Sequence, residues 1–132
     1  MKMKRSALIA FAALLLLSTA SFAQRRGGWQ YLGEAHVDGG RDHDNISVPG
    51  GARFRAIQLR VENGPIEFDH VIVHYANGGN DELSVRQVIP AGGSTRAIDL
   101  RGNRRDIRSV ELFYGKTHRR EGRPAVRLFG RM

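Results

Sequence analysis

The chain has no cysteine in 132 residues, which excludes a disulfide framework, a thiol nucleophile and thiolate metal sites. Acid is scarce beside base: 13 Asp plus Glu stand against 21 Lys plus Arg, so the net charge is +8. Long hydrophobic runs are nearly absent too. The single uninterrupted one, residues 7–17, is 11 residues long, against the roughly 20 that a membrane-spanning helix needs. No stretch after it repeats its apolar residues with a helical period, so no amphipathic helix is expected. A chain this short excludes a multidomain enzyme and a polytopic membrane protein, and one small domain is the ceiling.

What is present begins with an export pattern. Lys2, Lys4 and Arg5 precede the apolar run, and Ser21-Phe22-Ala23 places small residues at both cleavage subsites. Residues 1–23 read as a signal peptide cleaved after Ala23, residues 24–28 as a flexible leader, and residues 29–132 as the domain. The product is expected in the periplasm or outside the cell. With no cysteine after the cleavage site it is not a lipoprotein, and the mature chain carries no transmembrane segment. Removing Lys2, Lys4 and Arg5 leaves a net charge of +5, and every remaining base except Lys116 is Arg. Guanidinium groups stay charged and form two-pronged contacts with carboxylates and phosphates. The excess is concentrated late: residues 101–132 carry 10 bases and 3 acids.

Within the domain, apolar residues recur at alternate positions in short runs separated by Gly, Asn, Asp and Pro, which is the strand pattern. Eight strands are predicted, at 29–37, 46–48, 54–62, 66–75, 82–89, 95–100, 107–114 and 124–129. They imply an all-β antiparallel sandwich of jelly-roll or Greek-key type. Val61 and Ile66 flank Glu62-Asn63-Gly64-Pro65, which predicts a hairpin pairing Leu59 with Phe68 and Arg60 with Glu67. Alternation slips at Ala56-Ile57 and near Asp69-His70, and a bulge is expected at each.

The string also resembles a family of small, uncharacterised secreted bacterial proteins. Trp29 with Leu32-Gly33, Arg41-Asp42-His43-Asp44-Asn45-Ile46 and Phe54-Arg55-Ala56-Ile57-Gln58-Leu59-Arg60-Val61 carry the likeness. So do Tyr75-Ala76-Asn77-Gly78, Gly93-Ser94-Thr95-Arg96-Ala97-Ile98-Asp99-Leu100 and Leu128-Phe129-Gly130. The resemblance implies an exported all-β domain and supplies no activity, because these are strand and turn residues.

Two clusters carry candidate chemistry. Arg101, Arg104, Arg105 and Arg108 surround one turn, and Lys116, His118, Arg119, Arg120 and Arg123 surround the next. Such a field attracts polyanions by counterion release. The two loops flank opposite ends of one strand, and they merge only if strand neighbours bring Arg127, Arg131 or the Arg25-Arg26 leader between them. The second cluster is acidic. Asp38, Asp42, Asp44 and Asn45 offer oxygen ligands of the kind calcium prefers, although these residue types also make ordinary turns.

Other signals are weaker. His70 and His74 lie in a strand, where four residues span about 13 Å, too far for a shared ion. Glu67 and Asp69 recur on one strand side, and surface pairing accounts for them. Gly92-Gly93-Ser94-Thr95 lacks the Lys and helix of a phosphate loop and reads as a hairpin turn. No hydrolase or nucleotide-binding motif occurs. The expectation is a non-catalytic binding module of the envelope, without a required cofactor. It contacts an anionic envelope polymer or an acidic protein through the late arginines and not nucleic acid, for which interleaved aromatics are missing. The alternative is a calcium-dependent carbohydrate or protein interaction domain.

Overall fold

Alternation of side chains is obeyed along most of the chain. In the strand Ile66–Tyr75 the residues Ile66, Phe68, Val71, Val73 and Tyr75 are buried while their neighbours face outward. The computed structural model describes residues 28–38, 42–115 and 122–132. Within them lie nine strands: β1 (Trp29–His36), β2 (His43–Ser47), β3 (Arg53–Phe54), β4 (Ala56–Glu62), β5 (Ile66–Tyr75), β6 (Asn80–Ile89), β7 (Ile98–Asp99), β8 (Arg105–Tyr114) and β9 (Ala125–Arg131). They form two antiparallel sheets, ordered β1-β9-β4-β7 and β2-β8-β5-β6, with β3 beside β8.

The sandwich expected from the sequence is therefore the fold. Leu59, Val61, Val126 and Leu128 from the first sheet share one core with Phe68, Val71, Val110 and Leu112 from the second. Each such side chain, fully buried, contributes roughly 1.5–3 kcal/mol relative to exposure. Among the described residues no helix is long and apolar enough to cross a membrane. Residues 1–23, expected to be a signal peptide, and residues 24–27 of the expected leader, with Arg25 and Arg26, lie outside the described residues.

The expected hairpin is not formed. Leu59 pairs with Leu128 and Phe68 with Tyr114, so β4 and β5 belong to different sheets. Residues 63–65 instead carry the chain across the sandwich. Asn63 takes φ 68°, a left-handed conformation that Asn tolerates better than most residues, and Pro65 has no N–H to give a ladder. Arg60 and Glu67, expected to face one another, consequently lie on opposite sheets. Alternation sets which side of a strand faces the core, and it does so equally well in either sheet.

The slip at Ala56-Ile57 is likewise a change of sheet, where a bulge was expected. The chain leaves β8 after Phe54, bends at Arg55 and enters the first sheet at Ala56. The Arg55 amide donates to the Arg131 carbonyl at 2.8 Å, and the Arg55 carbonyl accepts from the Leu100 amide at 2.7 Å. This break turns the expected strand 54–62 into two. The bulge expected near Asp69-His70 is present: the register shifts between Phe68 and His70 against both β6 and β8. Opposite Asp69 on β6, Arg86 adopts φ 48°.

The expected strand 95–100 shrinks to the two residues of β7, because the Thr95 side chain takes over part of the ladder. Its hydroxyl accepts from the Leu59 amide at 3.1 Å and donates to the Arg96 carbonyl at 2.8 Å, and Ser94 bridges Arg60. Gly92, at φ 84°, turns the chain from β6 into the first sheet. That turn joins two sheets and is not a hairpin.

Candidate functional site

Antiparallel pairing collects strand termini at two ends of the sandwich. At one end β1, β4, β6 and β8 begin and β5 and β9 finish. Phe54 pairs with Arg105 and Arg53 with Asp106, which brings Arg53 beside the turn that carries Arg101 and Arg104. Arg53, Arg104, Arg105, Tyr75, Asn77 and Asp106 line one open cleft of about 450 Å³.

Arg105 is the fixed element of this cleft. Its guanidinium lies 3.6 Å from the centre of the Tyr75 ring, and its Nη1 donates to the Arg101 carbonyl at 2.9 Å. Such stacking leaves the outer edge of the planar group available to a ligand. Tyr75 is held in turn by donating to Asp81 Oδ2 at 2.9 Å. Burial, reinforced by that carboxylate, pushes the Tyr75 hydroxyl up to about 12. Arg53 and Arg104 are exposed. Arg101, also exposed, approaches Asp81 only to 3.9 Å, a solvated pair of little energetic weight. Asp106 Oδ1 is buried and has no hydrogen-bond partner among the described residues.

The other expected arginines among the described residues, Arg108 and Arg123, are dispersed. Arg108 is exposed along β8, away from the turn. Arg123 lies at the opposite end of the sandwich, where with His36, Asp38 and Pro124 it lines a separate opening of about 530 Å³. Arg119 and Arg120 lie outside the described residues, as do Lys116 and His118. Arg127 and Arg131 do not join the two groups: they stand on β9, whose neighbours are β1 and β4 and not β8. Arg53 is the residue that reasoning from the sequence missed. The signal for it was its place one residue before Phe54, but only the β3–β8 register reveals what it faces.

The acidic residues divide as well. Asp42 hydrogen-bonds His43 at 3.1 Å, Asp44 accepts from the Tyr114 hydroxyl at 2.7 Å, and Asp38 stands at the far side of residues 39–41, which are not described. Asp44 and Asn45 are consecutive in β2 and point to opposite faces of the sheet. Among the described residues no group of three or more His, Asp or Glu could hold a metal ion.

Each described histidine is turned to a carboxylate. His36 meets Glu34 at 3.1 Å, His70 meets Asp69 at 2.6 Å and Glu82 at 3.4 Å, and His74 meets Glu111 at 2.6 Å. His43 and His70 stack on Phe113, with ring centres 5.2 and 4.3 Å away. His70 and His74 thus use different acids. Glu67 and Asp69 line a cleft of about 240 Å³ together with Arg86.

The family described as Domain of unknown function (DUF2541) matches residues 9–130. The chain belongs to this family. The match starts inside the apolar run and ends within β9, so the DUF2541 domain takes in both sheets and both ends of the sandwich. No curated protein matches the sequence. Among solved structures, the fold is similar to AlgX of Pseudomonas aeruginosa, with a TM-score of 0.55 and 13% identity. The likeness covers 78% of this chain and 26% of that one, so the DUF2541 chain spans about a quarter of AlgX. At that identity the likeness concerns the fold alone.

Proposed function

We propose that this DUF2541 chain is exported and acts as a non-catalytic binding module that holds an anionic polymer of the cell envelope at its arginine cleft. One observation carries the reading: Arg53, Arg104 and Arg105, which come from two separate stretches of chain, line a single opening with one of them stacked in place. A preordered guanidinium loses less entropy on binding than a free one, which raises affinity for a carboxylate or phosphate. The basic segment Lys2-Lys4-Arg5, the apolar run and Ser21-Phe22-Ala23 support export. The calcium-dependent alternative gains no support from the placement of Asp44 and Asn45 on opposite faces of β2.

The test is binding of the mature domain to polyphosphate at about 50 and 200 mM salt, where affinity for a polyanion falls several-fold or more. An Arg53→Gln/Arg104→Gln variant is expected to lose most of the binding. Affinity that ignores both salt and these substitutions would overturn the reading.

A further inference from the structure

The outer face of the first sheet carries aromatic rings where a solvated face would carry only polar residues. Tyr31 pairs with Phe129, and Phe129 with Gln58, so these three side chains form one row across β1, β9 and β4. Trp29 and Arg131 form the row beside it. Tyr31 is 49% exposed and meets Phe129 edge to face at 5.7 Å. Arg60 lies 3.8 Å over the Phe129 ring, with its Nε donating to Gln58 Oε1 at 3.0 Å, and Arg131 lies 4.7 Å over Trp29. No carboxylate pairs with Arg60 or Arg131 among the described residues, whereas Arg127 is shared between Glu34 at 3.8 Å and Glu62 at 3.2 Å.

We infer that this face is a second binding surface, distinct from the arginine cleft, and that it takes a carboxylated polysaccharide. A pyranose ring presents a flat C–H face that stacks on an exposed aromatic ring, and Tyr31 is the ring open to it. The sugar carboxylate meets Arg60 or Arg131, the two guanidinium groups without an acid. Sugar hydroxyls, which are donors, meet the carboxylates of Glu34 and Glu62 and the amide of Gln58. This mixture of signs selects among polyanions. A nucleic acid strand offers a phosphate on every nucleotide and few donors, so Glu34 and Glu62 repel it, while a chain that carries both hydroxyls and carboxylates satisfies both kinds of group. A neutral glycan stacks but leaves the arginines unused.

The inference shares the anionic-polymer reading but not its site, and the two can fail separately. Trp29 is the single tryptophan of the chain and stands in the row beside Tyr31, so its fluorescence reports on this face, while the amide resonances separate the face from the cleft. Polygalacturonate oligosaccharides are expected to shift Trp29 emission saturably and to perturb amide resonances of β1, β9 and β4. Dextran and an oligothymidylate are expected to bind at least about tenfold more weakly. Tyr31→Ala, which removes a surface contact with Phe129 and a hydrogen bond to Glu34 but no core side chain, should weaken polygalacturonate about five- to tenfold in protein that still unfolds cooperatively, and Arg60→Gln by a comparable factor. The Arg53→Gln/Arg104→Gln variant should retain the Trp29 shift. Resonance changes confined to the cleft, an undiminished affinity in Tyr31→Ala, or tighter binding of oligothymidylate would each overturn the inference.

Discussion

The guanidinium of Arg105 sits over the Tyr75 ring, 3.6 Å from its centre, while the Tyr75 hydroxyl donates to Asp81. Each residue fixes the other, and a buried tyrosine thereby supports an arginine at the mouth of a cleft. The raised ionisation of Tyr75 gives this arrangement a pH signature. A proton is held more tightly in the folded state, from an ordinary value of 10.0 up to about 12. The associated stability is complete below about pH 10 and is lost as pH rises toward 12. Chemical denaturation across that window should show a falling free energy of unfolding, and Tyr75→Phe should flatten the fall. At neutral pH the same variant should cost about 1–3 kcal/mol, because Asp81 loses its donor.

Salt dependence of polyanion binding should separate the two ends of the sandwich. Each guanidinium that contacts the polymer contributes somewhat under one unit to the slope of log affinity against log salt. Arg53→Gln and Arg104→Gln should each lower the slope by roughly that amount. Arg123→Gln, at the far end beside His36 and Asp38, should leave it unchanged.

Gly130 is required by packing. A methyl group there would sit 2.7 Å from Phe54 Cδ1 and 2.9 Å from Leu32 Cδ1, both core atoms with little room to retreat. Gly130→Ala should destabilise the domain by about 1–3 kcal/mol, read as a lower denaturant midpoint.

Arg96 covers an open sheet edge. Its guanidinium reaches over to β6 and donates to the carbonyls of Val85 at 3.0 Å and Ser84 at 2.8 Å. Arg96→Ala should uncover those acceptors on an edge strand and promote self-association, seen as a concentration-dependent increase in sedimentation coefficient. Thr95, one residue earlier, is buried with both sides of its hydroxyl engaged. Thr95→Val should keep the volume and cost about 1–3 kcal/mol by orphaning the Leu59 amide.

The positions of strands were legible because two-residue alternation marks a core-facing side wherever it occurs, and β5 appears with the bounds expected for it. Partners were not. Val61 and Ile66 look like hairpin neighbours on local grounds, yet Asn63 and Pro65 bend the chain out of plane and hand it to the opposite sheet. The sheet change at Arg55 left the same trace in the sequence as a bulge would, two consecutive apolar residues. Half of the arginine cleft was visible as the run Arg101 to Arg105. Arg53 was not, since it is brought there by a two-residue pairing with β8. The aromatic face was legible in principle: Tyr31 and Phe129 stand at outward phases of their strands, and a ring at a polar phase is the available clue.

The position of β9 has a consequence for how the molecule comes into being. It lies between β1 and β4, so the first sheet has no continuous ladder until Ala125–Arg131 has been made and released. Trp29 must wait for Arg131, about a hundred residues later, before either finds its place. A nascent chain of this design leaves its first sheet unfinished until Arg131 has emerged.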